Sequence, residues 1–206
     1  MGASWKSAPL RPVHFGPHQA VLTRRDDGCL IMRSPHPLGA VERCVTAPLA
    51  RWAAQRPDHP FLAQRDAGGA WRKLGYRDAL AQVRAIGLAL LDRGLSVERP
   101  VVILSGNDIE HGLLGLAAMH VGIPFAPVSV PYSLVSRDYE KLRYIMDLMR
   151  PGLVFAADGA LFARAIEATV PADVEVVVTH APPPVRPATA FASLAATQPG
   201  SAVDVA

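Results

Sequence analysis

Apolar and polar positions follow two different rhythms along this chain, and the change of rhythm divides it. Near the N-terminus, Ala20–Arg25 and Cys29–Arg33 are short β-prone runs separated by Asp26-Asp27-Gly28. Asp-Gly between two such runs predicts a hairpin. Residues 1–18, with Pro9, Pro12 and Pro17, read as an extended arm, and Ser34–Gly39, with Pro35 and Pro37, as a loop. A helix follows, with Thr46 as its cap and Pro48 in its first turn. Leu49, Trp52 and Ala53 form its apolar face, and Pro57 ends it. Phe61–Arg65 and Trp71–Leu74 predict two strands around Gly68-Gly69. Over Tyr76–Arg93, Leu80, Val83, Gly87, Leu90 and Leu91 fall on one helical face, and Gly94 suits a left-handed C-terminal cap.

From residue 101 the pattern becomes alternating strands and helices. Val101-Val102-Ile103-Leu104 is a continuous apolar run, as expected of a strand buried on both faces. A helix over Asp108–Val121 is predicted next, closed by Gly122, and then a strand over Ile123–Val128. Ser136 is expected to cap a helix running to about Met149. A strand over Leu153–Ala156, a helix over Ala160–Thr169 and a strand over Val174–Val178 complete the series. This order predicts right-handed βαβ units on a mostly parallel sheet with flanking helices, preceded by the short β-hairpin, so the fold class is α/β. Thr179–Ala206 contains Pro182-Pro183-Pro184, Pro187 and Pro199 with no usable period. The expected division is therefore 1–45 for arm and hairpin, 46–180 for the α/β unit, and 181–206 for a proline-rich linker.

Composition narrows the function classes. Half of the 206 residues are apolar, enough for a substantial core. The 21 Lys and Arg exceed the 18 Asp and Glu only slightly, without a dense basic run, and aromatics make up 6%. A nucleic-acid partner is not indicated. Cys29 and Cys44 lack Cys-x-x-Cys or Cys/His ligand spacing, which favours a reducing, cytoplasmic setting over a disulfide scaffold. The most apolar window, Gly112–Val130, has the length of a membrane span but is broken by Gly122, Pro124 and Pro127. A helix followed by a strand fits it better than a membrane anchor.

Candidate chemistry is sparse. Ser105-Gly106-Asn107-Asp108 follows the first buried strand, where a phosphate-binding turn would sit, but the next glycines, Gly112 and Gly115, miss the dinucleotide spacing. Two readings stand there: a tight turn capped by Asn107 or Asp108, or an anion held at the helix N-terminus. His111 and His120 lie nine residues apart, about two and a half helical turns, and so point to opposite sides. No metal site is expected, and His120 reads as a core or interface histidine. Ser105 lacks the Gly-x-Ser-x-Gly elbow, and Asp26-Asp27 fits turn chemistry. Arg137, Lys141 and Arg143, interleaved with Asp138 and Glu140, form either a solvated face or a contact for a phosphorylated ligand.

Several strings go further. Leu49–Asp58 with Pro60-Phe61-Leu62, then Leu74-Gly75-Tyr76-Arg77-Asp78-Ala79-Leu80, then Leu116–Val128, occur in this order. Over residues 46–180 they resemble the N-terminal part of the adenylate-forming acyl-CoA ligase superfamily. The second string resembles that family's Leu-Thr-Tyr-x-Glu-Leu, with Gly75 and Asp78 as tolerable departures. Arg33-Ser34-Pro35 with Pro37-Leu38-Gly39, Ile103–His111 and Pro127–Ser136 are most similar to the feruloyl-CoA synthases within it.

The resemblance implies activation of a hydroxycinnamate by ATP to an acyl-adenylate and transfer to CoA, with Mg²⁺ assisting the first step. The partners it implies are thus an aromatic acid, ATP and CoA. The family's phosphate loop ending in Pro-Lys, its aromatic-Gly-x-Thr-Glu string, its ribose-binding Asp and its adenylation Lys are not found within the 206 residues. No catalytic residue can therefore be carried over, and these residues alone are expected to be catalytically incomplete and to bind no cofactor tightly. One site residue is carried over, Arg143, as a contact for the CoA nucleotide. The alternative expectation is a stand-alone degenerate domain that binds a partner or self-associates as a homo-oligomer.

Overall fold

The computed structural model describes residues 12–184, 186–198 and 203, arranged as two compact units, 1–41 and 42–206. The first eleven residues of the expected arm lie outside the described residues. In the first unit β1 (Val21–Arg24) pairs antiparallel with β2 (Leu30–Arg33), Leu22 opposite Met32. Gly28, at φ 83°, makes the turn as the Asp-Gly signal predicts.

The second unit opens with α1 (Ala47–Gln55) and the antiparallel pair β3 (Pro60–Arg65) and β4 (Trp71–Gly75). Next come α2 (Tyr76–Asp92), β5 (Val101–Ile103), α3 (Ile109–His120) and β6 (Phe125–Pro127). A short α4 (Pro131–Leu134), then α5 (Glu140–Met149), β7 (Leu153–Asp158), α6 (Ala163–Thr169) and β8 (Glu175–His180) complete the expected alternation. β9 (Thr189–Ala190) and α7 (Phe191–Ala195) follow. The five strands β6-β5-β7-β8-β9 form one wholly parallel sheet.

The continuous apolar runs are explained by two cores, one on each face of this sheet. Side chains alternate across a strand, so Val101 and Ile103 face one core and Val102 and Leu104 the other. The first core joins Leu153, Phe155 and Val177 to α2, α3 and α7 through Val83, Ile86, Leu90, Leu113, Leu114 and Leu194. The second sets Val154, Val176 and Val178 against Leu142 and Met146 of α5 and Ile166 of α6. Helices α2 and α3 approach closely at Gly87, where an added Cβ would lie 2.9 Å from Val121.

Three local expectations change. Thr46 occupies the N-cap position of α1, but its side chain makes no capping bond. Its hydroxyl is taken by His120 and Cys44 instead. The helix expected to start at Ser136 starts at Glu140. Tyr139 adopts φ 56° just before it, and the Ser136 hydroxyl accepts the Tyr139 N–H at 3.1 Å. Residues 189–195, which their proline-rich surroundings place in a linker, instead supply the fifth strand and two buried side chains, Phe191 and Leu194. Apolar burial outweighs the local lack of period there.

Candidate functional site

The sheet order dictates where a site can form. From β5 the chain crosses to β6 on one side and returns to β7 on the other, so the direction of winding reverses between β5 and β7. In open parallel sheets ligands enter the crevice at the carboxyl ends of such a strand pair, because the connecting loops diverge there. In this chain those ends carry Ser105–Asp108 after β5, and Asp158, the last residue of β7, followed by Gly159.

The first loop is a capped turn. Asp108 adopts extended backbone angles and its Oδ1 accepts the His111 N–H at 2.6 Å, the N-cap of α3. Of the two readings left open by the sequence, the structure realises the cap. His111 donates its Nδ1–H to the Gly106 carbonyl at 2.9 Å, closing the turn from the helix side. Ser105 is buried, and its Oγ makes no hydrogen bond of standard geometry, though it lies close enough to Asp108 to favour that carboxylate. Burial dominates and pushes the Asp108 carboxyl above its ordinary range, with the His111 N–H pulling the other way.

Beside it sits an ion pair that the sequence did not disclose. Arg72 of β4 donates to both oxygens of Glu110, at 2.7 and 2.8 Å, in the bidentate geometry that suits guanidinium and carboxylate. Gln64 of β3 accepts the Ile109 N–H at 2.9 Å with the same oxygen that Arg72 Nη2 reaches at 3.3 Å. The β3–β4 hairpin is thereby fastened to the first turn of α3. Burial works to raise the Glu110 carboxyl, but the Arg72 bonds and charge outweigh it and hold the group below its usual value. These contacts link residues 38 and 45 positions apart, with no local pattern to signal them.

At the end of β7, Asp158 accepts the Leu161 N–H at 2.9 Å and faces His180 Nε2 at 3.5 Å. His180 closes β8 and, when protonated, also favours the Glu110 carboxylate. The crevice edge thus carries carboxylates, imidazoles and one committed guanidinium. Among the described residues no group of three His, Cys, Asp or Glu is placed to hold a metal ion. The residues present also include no glycine-rich loop that could cradle a triphosphate, so no step is assigned to ATP or Mg²⁺ on these residues.

Arg143, carried over from the resemblance, lies elsewhere, on the exposed face of α5. Its guanidinium donates to the Asp138 carbonyl, which orients it along the N-terminal turn of its own helix. Lys141 stands over the Tyr132 ring, 5.2 Å from its centre. Arg137 and Lys141 are exposed as well, Arg137 before the start of α5 rather than on the helix that the sequence pattern expected to begin at Ser136. His111 and His120 turn to different partners, Gly106 and Thr46, as their spacing predicts. No described helix is long and apolar enough to cross a membrane.

Comparison with known proteins places this geometry. Among solved structures, the fold is similar to a protein of Rhodopseudomonas palustris CGA009 assigned as a long-chain-fatty-acid CoA ligase, with 21% identity and a TM-score of 0.60. That match covers 77% of this chain and 37% of the other. A benzoate CoA ligase from Burkholderia xenovorans LB400 matches at 19% identity and TM-score 0.60, over 77% of this chain and 29% of that one. A fatty acyl-adenylate ligase from L. pneumophila, in complex with acyl adenylate and pyrophosphate, matches at 16% and 0.53, over 77% and 26%. At these identities the likeness establishes the fold, and the chain spans less than two fifths of the length of each of these relatives. No curated protein matches the sequence. The profile of the AMP-binding enzyme family matches residues 49–204, from the first turn of α1 past the end of α7, and the chain belongs to that family.

Proposed function

We propose that these residues form the N-terminal scaffold of an ATP-dependent aryl- or acyl-CoA ligase, of the feruloyl-CoA synthase type. Such a ligase converts a hydroxycinnamate, ATP and CoA to the acyl-CoA, AMP and pyrophosphate. The observation that carries the reading is the family match over residues 49–204. The CoA ligases of matching fold support the reaction class, and the acyl adenylate bound by the L. pneumophila relative supports the intermediate. The hydroxycinnamate assignment rests on the strings Arg33-Ser34-Pro35 with Pro37-Leu38-Gly39, Ile103–His111 and Pro127–Ser136. Adenylation turns a poor leaving oxygen into AMP, and cationic donors stabilise the charge that develops at phosphorus. In this reading the 206 residues supply the scaffold and Arg143 a contact for the CoA nucleotide, while the adenylation machinery lies in segments they do not contain.

The test has two parts. Reading the coding DNA past codon 206 comes first: a frame continuing into a Ser/Thr/Gly-rich loop ending in Lys supports the scaffold role, and a stop codon overturns it. Ferulate-dependent ATP–pyrophosphate exchange comes second. Exchange by the 206-residue chain alone overturns its catalytic incompleteness. Exchange by the extended polypeptide with fatty acids but not hydroxycinnamates overturns the substrate assignment.

A further inference from the structure

A hydrogen-bonded chain of three side chains lies at the start of α1, away from the crevice. Cys44 Sγ is 3.4 Å from Thr46 Oγ1, and Thr46 Oγ1 is 3.1 Å from His120 Nδ1 at the end of α3. Thr46 is 2% exposed, whereas Cys44 is only half-buried. The threonine occupies the N-cap position of α1 yet gives that helix no side-chain bond. At this position a hydroxyl ordinarily accepts a backbone N–H of the first turn. Here it is spent on a thiol two residues before it and an imidazole 74 residues after it.

We propose that Cys44, Thr46 and His120 form a proton relay that makes Cys44 an activated thiol, a covalent modification site for small soft electrophiles. A hydroxyl both donates and accepts, so the chain can run in either direction. With a neutral thiol, S–H donates to Oγ1 and the hydroxyl proton is directed at Nδ1. With a thiolate, Nδ1–H donates to Oγ1 and the hydroxyl donates to sulfur. Reversing the chain moves one proton from sulfur to imidazole and leaves a thiolate–imidazolium pair bridged by Thr46, the arrangement that activates cysteine nucleophiles. The backbone N–H groups of Thr46 and Ala47 also favour the thiolate, as does Arg43 beside it. The hydroxyl bond from Thr46 is the largest influence and, against burial, holds the thiol below its ordinary value. The titratable group from α3 is His120, and the nearby Glu42 is paired with Arg51 of α1.

In the reaction with iodoacetamide, the Cys44 thiolate attacks the methylene carbon, the C–S bond forms, the C–I bond breaks and iodide leaves. The thiol proton remains on His120. The experiment uses the 206-residue chain carrying Cys29→Ser, so that Cys44 is its only thiol, and follows carbamidomethylation by intact mass from pH 5 to 10. The expected profile has its midpoint below that of the same chain unfolded in urea. Thr46→Val and His120→Asn move it back toward the unfolded profile, and Thr46→Ser preserves it. Native and unfolded profiles that coincide overturn the proposal, and that comparison requires no variant beyond Cys29→Ser, at an exposed position, to fold. A low native midpoint that survives both Thr46→Val and His120→Asn, in variants whose circular dichroism matches the parent, overturns the relay.

Discussion

Arg72 and Glu110 meet as a fork on a fork, two hydrogen bonds of 2.7 and 2.8 Å between the second strand of a hairpin and the first turn of α3. The carboxylate is 12% exposed and the guanidinium 50%, so the pair lies across the boundary between protein and solvent. With Gln64 on the Ile109 N–H, it fixes the turn that carries Ser105 and Asp108 at the mouth of the crevice.

Removing Arg72 leaves a largely buried carboxylate without its partner. Arg72→Ala is expected to cost roughly 1 kcal/mol, discounted for the exposure of the guanidinium. Glu110 is held below the ordinary carboxylate range, so its contribution is present above that range and is lost as pH falls through the depressed value. Urea unfolding at pH 7 and pH 3 checks this: the gap between parent and variant is expected to be narrower at pH 3 than at pH 7.

Asp108 behaves with the opposite sign. Its carboxyl is raised by burial, so the stability it contributes is full below the ordinary carboxylate pKa and is lost as pH rises through the raised value. Asp108→Asn keeps an acceptor for the His111 N–H and removes the charge. It is expected to match or exceed the parent in stability at pH 7, while Asp108→Ala loses the cap and costs about 1 kcal/mol. Equal losses for the two variants at pH 7 would contradict this.

Arg186 donates to the carbonyls of Val170, Pro171, Ala172 and Val174, tying the segment before β9 to the turn that enters β8. A lysine has one point of charge and cannot span four acceptors. Arg186→Lys is therefore expected to lower the thermal midpoint almost as far as Arg186→Ala, each by several degrees, on the order of 1–3 kcal/mol.

Two substitutions test the packing around α2. Gly87→Ala should stabilise an isolated helix, yet its Cβ would meet Val121 at 2.9 Å, so a net loss of about 1–3 kcal/mol is expected. Leu194→Ala empties a fully buried position of the same core, at about 2–5 kcal/mol. A loss below about 0.5 kcal/mol for Leu194→Ala would return residues 189–195 to the linker that their composition implies.

What was legible in the sequence was legible for local reasons. Apolar runs such as Val101–Leu104 suit strands buried on both faces, and their alternation with helices carrying one-sided apolar faces is the order that predicts the α/β class. The Asp-Gly turn and the Asp108 cap depend on residues within four positions of each other. The family strings, too, are contiguous.

Tertiary structure decided the rest, because the energies involved join residues far apart in sequence. Thr46 has the chemistry of a helix cap, but His120, 74 residues away, competes for its hydroxyl. Phe191 and Leu194 sit among prolines and small residues without a period, and only the exposed core left beside Phe155 and Val177 makes their burial favourable. Arg72 and Glu110 read singly as surface charges and become a pair only when the hairpin packs against α3. Helix faces and strand runs are specified by the chain's own periodicity, whereas the crevice and the thiol relay exist only because folding brings their parts together.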